Sequence, residues 1–137
     1  MGEAIAGDRS GRNCHPDQEM VAALRQEPVM VQAPPGAALA PATETVSCGW
    51  ESSEPPNLGM LDREMTGAGG ADDVSRFYAD LARSSGWQAY GPGSHVYAAS
   101  KPDGTNCTWL LQVLGTADGT YHVRITYTPR DLRPTCL

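Results

Sequence analysis

The stretch DDVSRFYADLARSSGW, residues 72–87, has the most regular hydrophobic pattern in the chain. Its large apolar side chains recur at i, i+3, i+4 and i+7, the spacing that gives a helix one apolar stripe. They are Val74, Phe77, Tyr78 and Leu81. Asp72 or Asp73 can cap the first turn. Gly86 can adopt the left-handed conformation that ends a helix, and Trp87 then packs back on the apolar side. The pattern predicts a helix laid on a sheet, in preference to an exposed helix that docks into a partner's groove.

Strand-like segments lie on both sides of this helix. We expect strands at the end of 38–50, over 59–67, around a break at 91–93, and over 106–115 and 120–129. Segment 59–67 could also form a turn of helix, because Met, Leu, Arg and Glu favour one. KPDG (101–104) and TADG (116–119) are turn signals, so the last strands should form an antiparallel meander. Pro16 and Pro28 bound a short N-terminal helix.

These elements predict an α+β fold. It consists of an antiparallel sheet of four to five strands, one main helix packed on one face, and the short N-terminal helix. A chain of 137 residues is long enough for one core. We therefore expect a single domain over 16–137, preceded by a flexible, Gly-rich segment over 1–15.

The charge balance excludes two classes of partner. The net charge is −6, and the ten basic residues are not clustered. The chain therefore lacks the basic face with which proteins bind nucleic acids or anionic membrane surfaces. No apolar run approaches the roughly 18 residues of a membrane-spanning helix, and the N-terminus lacks the apolar stretch of a signal peptide.

The four cysteines indicate the cellular compartment. Their number is even, their spacing is wide and no CxxC pair occurs, which favours two disulfides formed in an oxidising compartment over four unrelated thiols. Sequence cannot choose among the three possible pairings. Our working assignment joins Cys14 to Cys136, tying the termini, and Cys48 to Cys107, tying two strands.

No catalytic or metal-binding motif is present. The chain has neither HExxH nor His-x-His, and Ser94 beside His95 is not part of GxSxG. His95, Cys107 and His122 could form a metal site if the last strands pair suitably, but we favour ordinary surface or edge histidines. The loop GAGGADD precedes a helix as phosphate loops do, but its aspartates would repel phosphate. We expect no cofactor and no metal, and we favour a non-enzymatic protein.

Aromatic and polar side chains concentrate in the predicted sheet. The face opposite the main helix could be an open binding face, or the helix over 16–28 could cover it. The residues that we assign to this candidate binding face are Tyr97, Trp109, Tyr121, His122 and Arg124.

Several segments together resemble a known group of proteins. They are LRQEPVMVQAPPGA (24–37), VSCGW (46–50), REM (63–65), DDVSRFYADLARSSGWQ (72–88) and CTWLLQV (107–113). In these the chain resembles small extracytoplasmic domains of actinobacterial proteins, often without an assigned function. The similarity covers most of the chain after about residue 24. It implies an exported or surface-held module with disulfides, and it transfers no catalytic residue.

The sequence therefore predicts a non-enzymatic, exported or surface-held module that binds a protein or cell-envelope partner. The alternative is a small-ligand-binding or enzyme-like domain that uses an open aromatic sheet face. A third hypothesis is a cytoplasmic accessory protein with free thiols.

Overall fold

A computed structural model describes residues 18–47, 58–90, 95–105 and 107–129. These residues form an α+β fold with three helices and a seven-stranded antiparallel sheet, so the predicted fold class is confirmed. The helices are α1 (Gln18–Arg25), α2 (Pro28–Val31) and α3 (Ala71–Ser84). The strands are β1 (Ala38–Leu39), β2 (Thr43–Ser47), β3 (Leu58–Thr66), β4 (Gln88–Ala89), β5 (Tyr97–Pro102), β6 (Thr108–Gly115) and β7 (Tyr121–Tyr127).

The strand order is β1-β3-β7-β6-β5-β4, and β2 pairs with β3 on the same side as β1. Leu39 lies opposite Met65, and Thr43 lies opposite Asp62. Strands β1 and β2 are therefore two halves of one edge strand that is interrupted at Pro41. The predicted count of four to five strands was too low because the two-residue strands β1 and β4 are too short to show a pattern.

Helix α3 confirms the helix predicted over residues 72–87. Val74, Tyr78 and Ala82 are fully buried against the sheet. Gly86 has a φ of +91°, and the Trp87 N–H donates to the Ala82 carbonyl at 2.9 Å, as in a helix that ends on a left-handed glycine. At the other end Gly70 occupies the N-cap position, and no side chain makes a capping hydrogen bond. The two aspartates of the first turn therefore contribute through the helix dipole.

Two helices occur where one was predicted over 16–28. Helix α1 ends at Arg25, and Pro28 begins α2, where its fixed φ and missing N–H suit a first helical position. Both helices pack on the same sheet face as α3. The Trp109 Nε1 lies 3.0 Å from the Met20 sulfur, and Leu24 is fully buried. The N-terminal helix therefore does not cover the opposite face.

The core lies between the helices and one face of the sheet, and the described elements share it as a single hydrophobic cluster. The aromatic ring of Tyr127 lies over Gly59, its partner on the neighbouring strand. A Cβ at position 59 would collide with this buried ring, so glycine allows the strands to pack this large side chain.

No helix in the described part of the chain is long and apolar enough to cross a membrane. The segment over 1–15, which we predicted to be flexible, lies outside the described residues, as do Cys14, Cys48 and Cys136.

Candidate functional site

The sheet face opposite the helices is the candidate functional site, and we call it the open face. None of the described helices or strands covers it. A row of side chains crosses it from strand to strand because residues opposite one another in an antiparallel pair point to the same side. From the β2 edge the row consists of Thr43, Asp62, Arg124, Gln112 and Ala98.

Asp62 contacts a histidine and an arginine at the centre of this face. Its Oδ2 accepts a hydrogen bond from the Arg124 Nε at 2.8 Å, and its Oδ1 lies 2.8 Å from the His122 Nδ1. An ionised carboxylate only accepts, so the His122 Nδ1 carries the proton in this contact. The side chains of Asp62, His122 and Arg124 are 18%, 32% and 30% exposed. The group is thus half-sheltered, with its geometry fixed before any partner arrives.

A second polar pair lies beside this group. The Gln112 Nε2 lies 2.8 Å from the His95 Nε2, and Gln112 is opposite Arg124 in the sheet. At the far edge the Tyr90 N–H donates to the Ala98 carbonyl, which places Tyr90 at the end of the polar row. Tyr90 is 57% exposed, and among the described residues only Val31 is a comparably exposed large apolar side chain.

Arg124 has unused hydrogen-bonding capacity. A guanidinium has five N–H donors, and only the Nε of Arg124 makes a contact within the described residues. Its four Nη donors can therefore bind acceptors on another molecule. The Asp62–His122 pair orients an imidazole as in general-base sites, but no serine, threonine or cysteine of the described ranges contacts His122 as a nucleophile that it could activate.

The predicted binding face was partly wrong. His122 and Arg124 do lie on the open face, as predicted for His122 from the alternation of β7. Trp109 and Tyr121 point to the opposite side and belong to the core, each 6% exposed. Tyr97 is also on the helix side, where burial raises its pKa and the charge of Arg83 on α3 opposes that rise. Side chains alternate along a strand, so these five residues cannot share one face.

The combination of His95, Cys107 and His122 that we considered for a metal does not form in the described part of the chain. His95 pairs with Gln112, and Cys107 is disulfide-bonded. No group of three or more His, Cys, Asp or Glu side chains within the described ranges could hold a metal ion. The other three cysteines lie outside those ranges, so both predicted pairings remain predictions.

Sequence reasoning missed Asp62 and Gln112 as parts of this site. A signal was present, because Asp62 and Glu64 alternate with Leu61 and Met65 along β3. Only the pairing register, however, puts Asp62 opposite Arg124, 62 residues away.

Comparison of the chain with protein-family models, with curated proteins and with solved structures found no match to any of them.

Proposed function

We propose that this protein is a non-enzymatic binding module that is exported or held at the cell surface, and that it binds a protein partner through the open face. The observation that carries the proposal is the arrangement of the sheet. The three described helices cover one face, and no described helix or strand covers the other, which carries a polar row that ends at the exposed Tyr90. The disulfide at Cys107 supports an oxidising compartment.

The size of the open face sets the kind of complex. Six strands about 4.8 Å apart and roughly seven residues long at 3.4 Å each give an area on the order of 600 Å². A standard interface buries about 800 Å² on each partner. We therefore propose a transient complex, in which Tyr90 and Arg124 contribute most of the binding free energy, because Tyr and Arg dominate such interfaces.

The polar row also indicates the chemistry of the partner. Asp62 is already paired with Arg124, so the charged groups left for a partner among the described residues of this face are the Arg124 Nη donors and the exposed Glu64. A partner surface with a carboxylate opposite Arg124 and a cation opposite Glu64 would complement both.

Site-directed photo-crosslinking tests the proposal. A benzoyl-phenylalanine is placed at Gln112 on the open face or at Arg76 on the exposed side of α3, and each chain is irradiated in a cell-envelope extract. We expect one crosslinked species from position 112. Excess unlabelled wild-type chain should abolish it, whereas excess Arg124→Glu chain should not.

Two results would overturn the proposal. One is the same crosslinked species from position 76, and the other is equal competition by the wild-type and Arg124→Glu chains. Circular dichroism of the Arg124→Glu chain is the folding control, because this charge reversal breaks the ion pair with Asp62.

A further inference from the structure

A cavity of about 270 Å³ opens on the helix side of the sheet, away from the open face. It lies where the edge strand is interrupted between β1 and β2. Four of its lining residues are apolar and two are arginines. They are Met30, Pro41, Ala42 and Leu61, with Arg25 and Arg63.

Arg63 is held rigidly at this cavity. It belongs to β3 and points to the core side, between the buried Leu61 and Met65. Its Nε donates to the Ala40 carbonyl at 2.7 Å, and its Nη1 donates to the Met30 carbonyl at 2.8 Å. Both acceptors are uncharged, so the guanidinium is oriented but not neutralised.

The charge of Arg63 has no counter-ion in the described part of the chain. No described carboxylate lies within ion-pair distance of it. Two of its five N–H donors are used, which leaves three for another acceptor. An arginine placed among apolar side chains without a carboxylate is costly, and an anionic ligand would offset that cost.

Arg25 is only loosely paired. Its Nη2 lies 3.8 Å from the Glu44 Oε2, and its side chain is 45% exposed. Glu44 does not line the cavity, but its carboxylate contacts Arg25, which does, so its negative charge opposes an incoming anion. The two arginines and Glu44 together carry a net charge of +1.

We propose that this cavity binds a carboxylate that carries a short apolar group. The carboxylate accepts hydrogen bonds from the remaining donors of Arg63, a geometry in which arginine binds carboxylates strongly. The apolar group lies against Met30, Ala42 and Leu61. Since water occupies about 30 Å³ per molecule, the cavity has room for roughly nine waters, or a ligand of about ten non-hydrogen atoms. This site is independent of the function proposed for the open face.

Two sources share this chemistry, a free small acid and the C-terminal residue of a polypeptide. Octanoate represents the first, and a tetrapeptide that ends in leucine with a free carboxylate represents the second. Octanamide and the C-terminally amidated tetrapeptide are the matched controls, because each keeps the apolar group and removes the charge.

The test is a titration of the full oxidised chain, followed by backbone amide chemical shifts. We expect octanoate to shift the amides of Ala42, Leu61 and Arg63 with saturation, and octanamide to bind at least tenfold more weakly. Charge-assisted hydrogen bonds account for a factor of this size. Glu44→Gln should tighten octanoate binding, and Arg63→Gln should weaken it about tenfold or more.

Arg63→Gln also removes two contacts of the fold, so a second variant keeps the proposal testable. Ala42→Phe fills the cavity and should abolish octanoate binding, whereas Ala38→Phe at the exposed edge should not. Equal binding of octanoate and octanamide, no saturable shift, or octanoate binding unchanged by Ala42→Phe would each overturn the proposal. Stronger binding of the peptide than of octanoate would assign the site to polypeptide C-termini, and the reverse would assign it to free acids.

Discussion

Tyr78 shows how one buried polar atom can make stability depend on pH. Its side chain is fully buried, and within the described residues its hydroxyl has two weak acceptors, the Gln32 carbonyl and the Met65 sulfur, both at 3.4 Å. Burial raises the pKa of Tyr78 to about 12, and the positive charge of Arg63 partly opposes this rise. The buried environment therefore favours the neutral phenol of Tyr78 over the charged phenolate.

The raised pKa predicts a loss of stability in alkali. Between pH 10 and pH 12 the unfolded chain releases the Tyr78 proton and the folded chain keeps it, so the free energy of unfolding falls as the pH rises. Two pKa units correspond to about 2–3 kcal/mol. Urea unfolding at pH 8 to 12 measures this fall. Tyr78→Phe should remove that part of the slope, and an identical slope in wild type and variant would contradict the assignment.

Two arginines of the sheet play opposite roles. Arg124 lies where the alternation of β7 predicts an exposed residue, and it pairs with a carboxylate. Arg63 lies where the alternation of β3 predicts an apolar residue, and it bonds to backbone carbonyls. Arg63 donates to the Ala40 carbonyl, which lies next to Pro41. Pro41 has no N–H to donate to the neighbouring strand. The break in the edge strand therefore has a local cause.

At the scale of elements, the turn between α1 and α2 is tied to the far half of the sheet. Glu27 accepts from the Lys101 Nζ at 2.9 Å and from the Trp87 Nε1 at 3.1 Å. The Lys101 Nζ also donates to the Ser85 carbonyl at 2.8 Å. The only lysine of the chain thus joins the N-terminal helices, the end of α3 and β5.

Removing Glu27 should destabilise this junction. The Glu27 side chain is 12% exposed and that of Lys101 is 24% exposed. Glu27→Ala removes the acceptor of the Trp87 Nε1 and the carboxylate paired with Lys101, which keeps its hydrogen bond to the Ser85 carbonyl. We expect a loss of about 1–3 kcal/mol in the free energy of unfolding, measured in urea. Glu27→Gln should cost less, because an amide oxygen can still accept from Trp87.

The exposed pair Asp80–Arg83 on α3 is the matched control. Its side chains are 66% and 74% exposed, and such pairs contribute little. Asp80→Ala should change stability by less than about 0.5 kcal/mol. If Glu27→Ala and Asp80→Ala lower the free energy of unfolding equally, the contacts of Glu27 with Lys101 and Trp87 do not stabilise the fold.

At the scale of the whole molecule, the cysteines give the next prediction. Intact mass after alkylation should show no label on the oxidised chain and four labels after reduction, as expected for two disulfides. Each bridge should contribute about 3 kcal/mol by closing a long loop. Two labels before reduction would mean that only one disulfide is present, and four labels before reduction would mean that there is none.

Peptide mapping then tests the pairing. Ser47, the residue before Cys48, ends β2, and Cys107 precedes β6. These two strands are three positions apart in the sheet, or roughly 14 Å. A disulfide joins Cα atoms at most about 7 Å apart. The gap between these two strand ends is thus wider than one disulfide spans, and a bridge from Cys107 to Cys14 or Cys136 would show our pairing to be wrong.

The sequence by itself determined the local features of this protein. The period of the apolar residues over 72–87 specified α3, the alternation over 120–129 specified β7, and Gly86 specified the end of the helix. Each of these depends on contacts between residues close in the chain, so the pattern contains the information.

Only the tertiary structure decided which elements share a face. The described helices α1 and α2 lie beside α3 and not on the opposite face, and the sheet register brought Asp62 to Arg124. The same register put Arg63 on the core side next to a cavity. These contacts join residues that are far apart in the chain. They depend on how elements pack, and a pattern of period 2 or 3.6 does not record that packing.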